Sequence, residues 1–241
     1  MIFNTDNYPI SIYSICFAIA VLAGFSVATA ILLIKKRNKT AIICAAMLNI
    51  ILLFYGGLMF SFLVNIDSGK LSFGLTSMGG AFGLIIGSFI MYCIYKDTEL
   101  LKAYMAVLPL IYSISKLGCF FAGCCGGIEY HGPMAINYIR HSENMYPDYT
   151  FPIQLLESIV FMLIFIIVIA LYKKYDFRIH IAVNGAICCV AKFGLDFLRS
   201  SHIKKIISMN QILCLVVLIL TIVMIVFGNR IFSKARTKKS D

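Results

Sequence analysis

Seven stretches of this chain are predominantly apolar over about 18 residues or more, the length a helix needs to cross the hydrocarbon core of a bilayer. They lie near residues 9–34, 41–64, 78–95, 102–123, 153–172, 180–198 and 207–228. Of the 241 residues, 61% are hydrophobic, where soluble domains hold roughly half. A transmembrane β-barrel would alternate apolar and polar residues in short segments, and no such pattern is present. The expected fold class is an all-α polytopic membrane protein with about seven transmembrane helices and a small extracytoplasmic cap. The first apolar run lacks a basic leader and a small-residue cleavage site, so it reads as a retained span. Trp is absent, and the 13 Tyr are left to anchor the interfaces.

The net charge of +10 raises nucleic acid as a partner, but its distribution gives a simpler account. "KKRNK", "KDTELLK", "KKYDFR" and "NRIFSKARTKKSD", which follow the first, third, fifth and seventh runs, hold 14 of the 21 Lys and Arg. Basic loops stay in the cytoplasm. The chain is therefore expected to have its N-terminus outside, its C-terminus inside, a basic tail at 229–241 on anionic lipid, and no nucleic-acid partner. The longest outer segment, about 124–152, is too long for a simple turn and rich in Gly, Pro and aromatic residues, which suggests a folded cap. No internal repeat appears, and 1–241 reads as one membrane domain.

Lys116, Glu157, Lys192, Asp196 and Arg199 lie within or at the outer ends of apolar runs. Each costs about 2.5–3.5 kcal/mol at mid-membrane, so each must pair or face a polar cavity. In "KFGLDFLR", Lys192, Asp196 and Arg199 stand at i, i+4 and i+7, on one helix face. In "PIQLLE", Gln154 and Glu157 share a face. These groups either pair among themselves and hold helices together, or line an outward-facing pocket whose cations outnumber its anions by one. Such a pocket suits a phospholipid phosphate. "MGGAFGLIIG" supplies Gly79, Gly80, Gly83 and Gly87, which allow close helix packing. At a helix N-terminus, Gly79 and Gly80 also present backbone N–H groups to phosphate.

"GCFFAGCCGG" holds Cys119, Cys124 and Cys125, three of nine cysteines. Three readings stand: small residues that let the backbone turn, a disulfide or redox site on the outer side, and a metal centre. Zinc wants four ligands, and His131 and His141 complete no familiar spacing. No metal ion and no cofactor is expected.

Taken in order, the motifs resemble the prolipoprotein diacylglyceryl transferases of bacterial cytoplasmic membranes. "ISIYSI" aligns Tyr13 with a family Tyr, and "TSMGGAFGLIIG" aligns with a His-Gly-Gly segment. "SKLGCFFAGCCGG" aligns with the family signature, "FPIQLLE" with a Gln–Glu segment, "GLDFLRS" with the Arg of the sixth span, and "SMNQIL" with the start of the seventh. Met78 stands where the family has His, Lys116 where it has Arg, and Cys119 and Cys124 where it has Asn and Glu. The resemblance implies transfer of a diacylglyceryl group from phosphatidylglycerol to the cysteine thiol of a prolipoprotein lipobox peptide, in contact with membrane lipids. It implies catalytic roles for Arg199, Lys116, Glu157 and Tyr13. It places Gly79, Gly80, Gly118, Cys119, Gly127, Gln154, Lys192 and Gln211 at the substrate. Two other readings remain open: a homologue that binds lipid or peptide without turnover, and a membrane thiol oxidoreductase using the three outer cysteines.

Overall fold

A computed structural model describes residues 2–4, 11–66, 75–139, 149–200, 207–208 and 211–219. Its helices are α1 (Ser11–Ile34), α2 (Lys39–Ile66), α3 (Ser77–Tyr95), α4 (Thr98–Phe121), α5 (Ile153–Ala170) and α6 (Phe177–Asp196), followed by α7 (211–219). The first six are long and apolar enough to cross a membrane. Each falls within a few residues of an expected run, and this is a multi-pass, all-α membrane protein. Half of the expected seventh span, and the basic tail, lie outside the described residues.

Two boundaries are set by polar residues rather than by hydropathy. Lys96 closes α3 in the left-handed region (φ 54°), its N–H bonding Tyr92 O. Asp97 then caps α4 by accepting from the Glu99 N–H at 3.0 Å. Helix α4 therefore begins at 98, earlier than its apolar stretch, and carries Glu99 and Lys102 into the fold. Lys102 Nζ donates to Tyr172 O and Tyr175 O at 2.7 and 2.8 Å, satisfying carbonyls just past the end of α5.

Helix α4 is the centre of the bundle and packs against α1, α3, α5 and α6. Within its most apolar stretch 72% of the residues are buried, against 28–39% for the other spans, whose outer faces belong to lipid. Pro109 sits inside α4 and cannot donate to the carbonyl of Met105, one turn back. Asn184 of α6 makes the repair, its Nδ2 donating to Met105 O at 2.6 Å. In a bilayer an unsatisfied carbonyl has no water to turn to, so such a repair ties α6 to α4.

Helices α2 and α3 meet backbone to backbone. A Cβ at Gly79 would overlap Gly56 O, and one at Gly83 would overlap Leu52 O. The glycine spacing read as close packing is thus realised along this seam.

The chain alternates direction, so α4, α6 and α2 end where α1, α3 and α5 begin. At that end lies the cap. Its backbone is joined by isolated bridges, Gly127 to Arg199 and both Glu129 and Ile136 to Thr150. A short parallel pair joins β1 (Ile2–Asn4) to β2 (Asn137–Ile139), with Phe3 opposite Tyr138.

Candidate functional site

Beneath the cap, four elements bring the five buried charges into one chain of contacts. Glu157, in the first turns of α5, is fully buried. Its Oε2 lies 3.0 Å from Lys116 Nζ of α4, and its Oε1 lies 2.5 Å from Lys192 Nζ of α6. Tyr112 OH donates to Glu157 Oε1 at 3.4 Å. Its ring lies under both lysines, 5.0 Å from Lys116 Nζ and 5.7 Å from Lys192 Nζ, a favourable arrangement for cations away from water. Lys192 Nζ stands 3.6 Å from Asp196 Oδ1, which also lies 3.5 Å from Arg199 Nη1. The i, i+4, i+7 spacing read from the sequence thus brings Lys192, Asp196 and Arg199 into contact. The groups pair among themselves, and the chain of contacts still carries one surplus positive charge.

Asp196 is held from the other side by Ser208, whose hydroxyl donates to Asp196 Oδ2. Ser208 and Gln211 form a capping box at the start of α7. The Gln211 N–H donates to Ser208 Oγ and the Ser208 N–H to Gln211 Oε1, each at 3.1 Å. Gln211 Nε2 also reaches Phe193 O at 3.4 Å. Gln211 therefore fixes the serine that fixes the aspartate.

The segment after α4 is shaped by a Schellman motif. The Cys124 N–H bonds Cys119 O at 3.1 Å and the Gly123 N–H bonds Phe120 O at 3.3 Å. Gly123 adopts φ 63°, which glycine tolerates without steric cost. The motif folds Cys124 back over Cys119, and Cys125, itself at φ 58°, joins them. The three sulfurs lie within 4.8 Å of one another, and no disulfide joins them. Hydrogen bonding with the Cys119 and Cys124 thiols pulls the Cys125 thiol well below its ordinary range. Lys116 and Arg199 act in the same direction against burial.

Gln154 Nε2 donates to Cys124 O at 2.7 Å. It serves the cysteine loop, while Glu157, on the same helix face, serves the lysines. Gly127 allows the cap strand to press against Phe151, whose carbonyl oxygen a Cβ would overlap. Gly118 lets α4 approach α1, since a Cβ there would come within 2.8 Å of Cys16 Cβ and 3.4 Å of Tyr13 O. Tyr13 OH donates to Leu75 O at 3.4 Å, and its electrostatic neighbours are the three cysteines and Lys116. Gly79 lies in the α2–α3 seam. Gly80 faces Leu53 across the same seam and also lines a narrow apolar cleft with Phe17, Leu84, Ile111, Tyr112 and Ser115. Its N–H, expected to be offered to a phosphate, instead donates to Thr76 O at 3.0 Å.

The family model of prolipoprotein diacylglyceryl transferases matches residues 1–227. The chain belongs to this family. A relative, the phosphatidylglycerol–prolipoprotein diacylglyceryl transferase of Clostridium tetani, is 25% identical over 92% of this chain and 94% of its own length. Family membership assigns prolipoprotein diacylglyceryl transfer as the general activity and lipoprotein biosynthesis as the setting. Within this transferase the sequence reading gave no role to two side chains of the charge network. Tyr112 was signalled by its position one turn before Lys116, and Ser208 by the S-x-x-Q pattern of a helix start. Asn184 carried no signal beyond being polar in a span.

Proposed function

We propose that this chain transfers a diacylglyceryl group from phosphatidylglycerol to the cysteine thiol of a prolipoprotein lipobox peptide. It would act in the bacterial cytoplasmic membrane, with its N-terminus and cap outside and its C-terminus inside. The supporting observation is the convergence of Lys116, Lys192 and Arg199 on two carboxylates, which leaves surplus positive charge at one end of the bundle. Arg199 is the most exposed of the five, at 9%, and its contact with Asp196 is long. It is the cation best placed to take a lipid phosphate, with Lys116 behind it.

In the reaction the acceptor thiolate sulfur bonds to the glycerol carbon of the donor. The carbon–oxygen bond to phosphate breaks, and glycerol phosphate leaves with the electron pair. Cations at the leaving oxygen stabilise the charge that develops there, and the same field favours the thiolate over the thiol. Glu157, held between two lysines, orients them rather than acting as a base. Gln154 holds the cysteine loop in register. Met78, in the first turn of α3, offers no proton chemistry, so thiol ionisation depends on this field.

The test uses purified protein with glycerol-labelled phosphatidylglycerol and a lipobox peptide. Labelled peptide and released glycerol phosphate in equal amounts are expected. Phosphatidylglycerol binding without either product would replace this reading with that of a binding homologue.

A further inference from the structure

The three thiols at the end of α4 are placed more exactingly than a turn requires. Cys119 and Cys124 are brought together by the Schellman motif, and Cys125 accepts a left-handed backbone (φ 58°) that non-glycine residues rarely adopt. The loop is pinned from three sides, by Gln154 on Cys124 O, by the Ile128 N–H on Leu198 O and by the Ser200 N–H on Gly126 O. The sulfurs converge within 4.8 Å of one another.

We propose that Cys119, Cys124 and Cys125 form a three-coordinate site for a soft monovalent cation of the copper(I) class. Three sulfurs about 2.3 Å from a central ion in one plane lie about 4.0 Å apart, so small side-chain rotations complete the site. Zinc would want a fourth ligand. No His or carboxylate joins the group among the described residues, and exposed His131 is engaged by Glu129 at 3.0 Å. Thiolates without oxygen or nitrogen partners select soft ions. Each thiol gives up its proton as its sulfur–metal bond forms, and no electron is transferred. The resulting anionic complex lies beside surplus positive charge. Lys116 is one turn before Cys119 on α4, and the Arg199 backbone pairs with Gly127 two residues beyond Cys125.

The test uses the full chain in detergent, reduced and without oxygen, titrated with copper(I) against a chromophoric copper(I) chelator. No lipid or peptide is present, so its outcome is independent of the transferase assay. One equivalent bound, with X-ray absorption giving three sulfurs at about 2.3 Å, is expected. C124S and C125S should each weaken binding at least tenfold, while C93S, in an exposed position on α3, should not. Should a variant fail to elute as a monodisperse species, alkylation mapping of the wild type with and without silver(I) takes its place. Protection confined to Cys119, Cys124 and Cys125 is expected. Loss of the ion to the chelator, binding that survives both substitutions, a preference for zinc(II), or a disulfide among the three in protein isolated without reductant would each overturn the site.

Discussion

Replacing Glu157 with leucine removes the one carboxylate that two buried lysines share. Two accounts of that carboxylate give different magnitudes. If it contributes only interhelical hydrogen bonds, at about 0.6 kcal/mol each in a membrane, its two lysine contacts amount to about 1.2 kcal/mol. If it balances charge, its loss leaves Lys116 and Lys192 facing each other, 2% and 3% exposed. Removing one member of a buried ion pair costs about 3–5 kcal/mol. The shared geometry, with Oε2 on one lysine and Oε1 on the other, favours the second account. We expect Glu157→Leu to lose about 3 kcal/mol or more, read from SDS titration of bicelle-reconstituted protein followed by circular dichroism. The double variant Lys116→Met with Glu157→Leu returns the network to its native surplus of one positive charge. It should recover more than about 1 kcal/mol of the loss, as coupled neighbours do. A single variant within about 1 kcal/mol of wild type, or a double variant as unstable as the sum of its parts, would refute charge balance as the role of Glu157.

Arg199→Ala should cut labelled-peptide formation by about a hundredfold or more, as loss of a charge-stabilising donor does; unchanged turnover would remove Arg199 from the phosphate. Asn184→Leu should cost about 1–3 kcal/mol by orphaning Met105 O, and adding Pro109→Ala, which restores the helical donor, should recover part of it in the same SDS titration. Gly83→Ala should cost about 1–3 kcal/mol because its methyl meets the Leu52 carbonyl. Gly194→Ala, with nothing within 4 Å, should be neutral or stabilising by up to about 1 kcal/mol. Ser208→Ala should cost about 1 kcal/mol from the cap alone, and more if its bond to Asp196 matters, by the same measurement.

The apolar runs placed the six spans because hydropathy over a span length is a property of contiguous sequence. The one-face spacing of Lys192, Asp196 and Arg199 was legible for the same reason, since helix period alone brings them together. Partnership across helices was not. Nothing local to "PIQLLE" says that Glu157 takes a lysine from α4 and another from α6, or that Gln154, on the same face, goes to a cysteine carbonyl instead. The repair of Pro109 by Asn184 joins residues 75 positions apart, and only packing decides it. The cysteine loop lay between these cases. Gly123 before a Cys pair announces a helix end, but the meeting of three sulfurs needs the left-handed turn at Cys125 as well.

The α2–α3 seam bears on how a two-tailed lipid gains access to the protein. Where two backbones touch with no side chain between them, there is nothing to swing aside and little to compress. That flank behaves as a welded wall, so traffic between the bilayer and the buried charges must pass along some other side of α4.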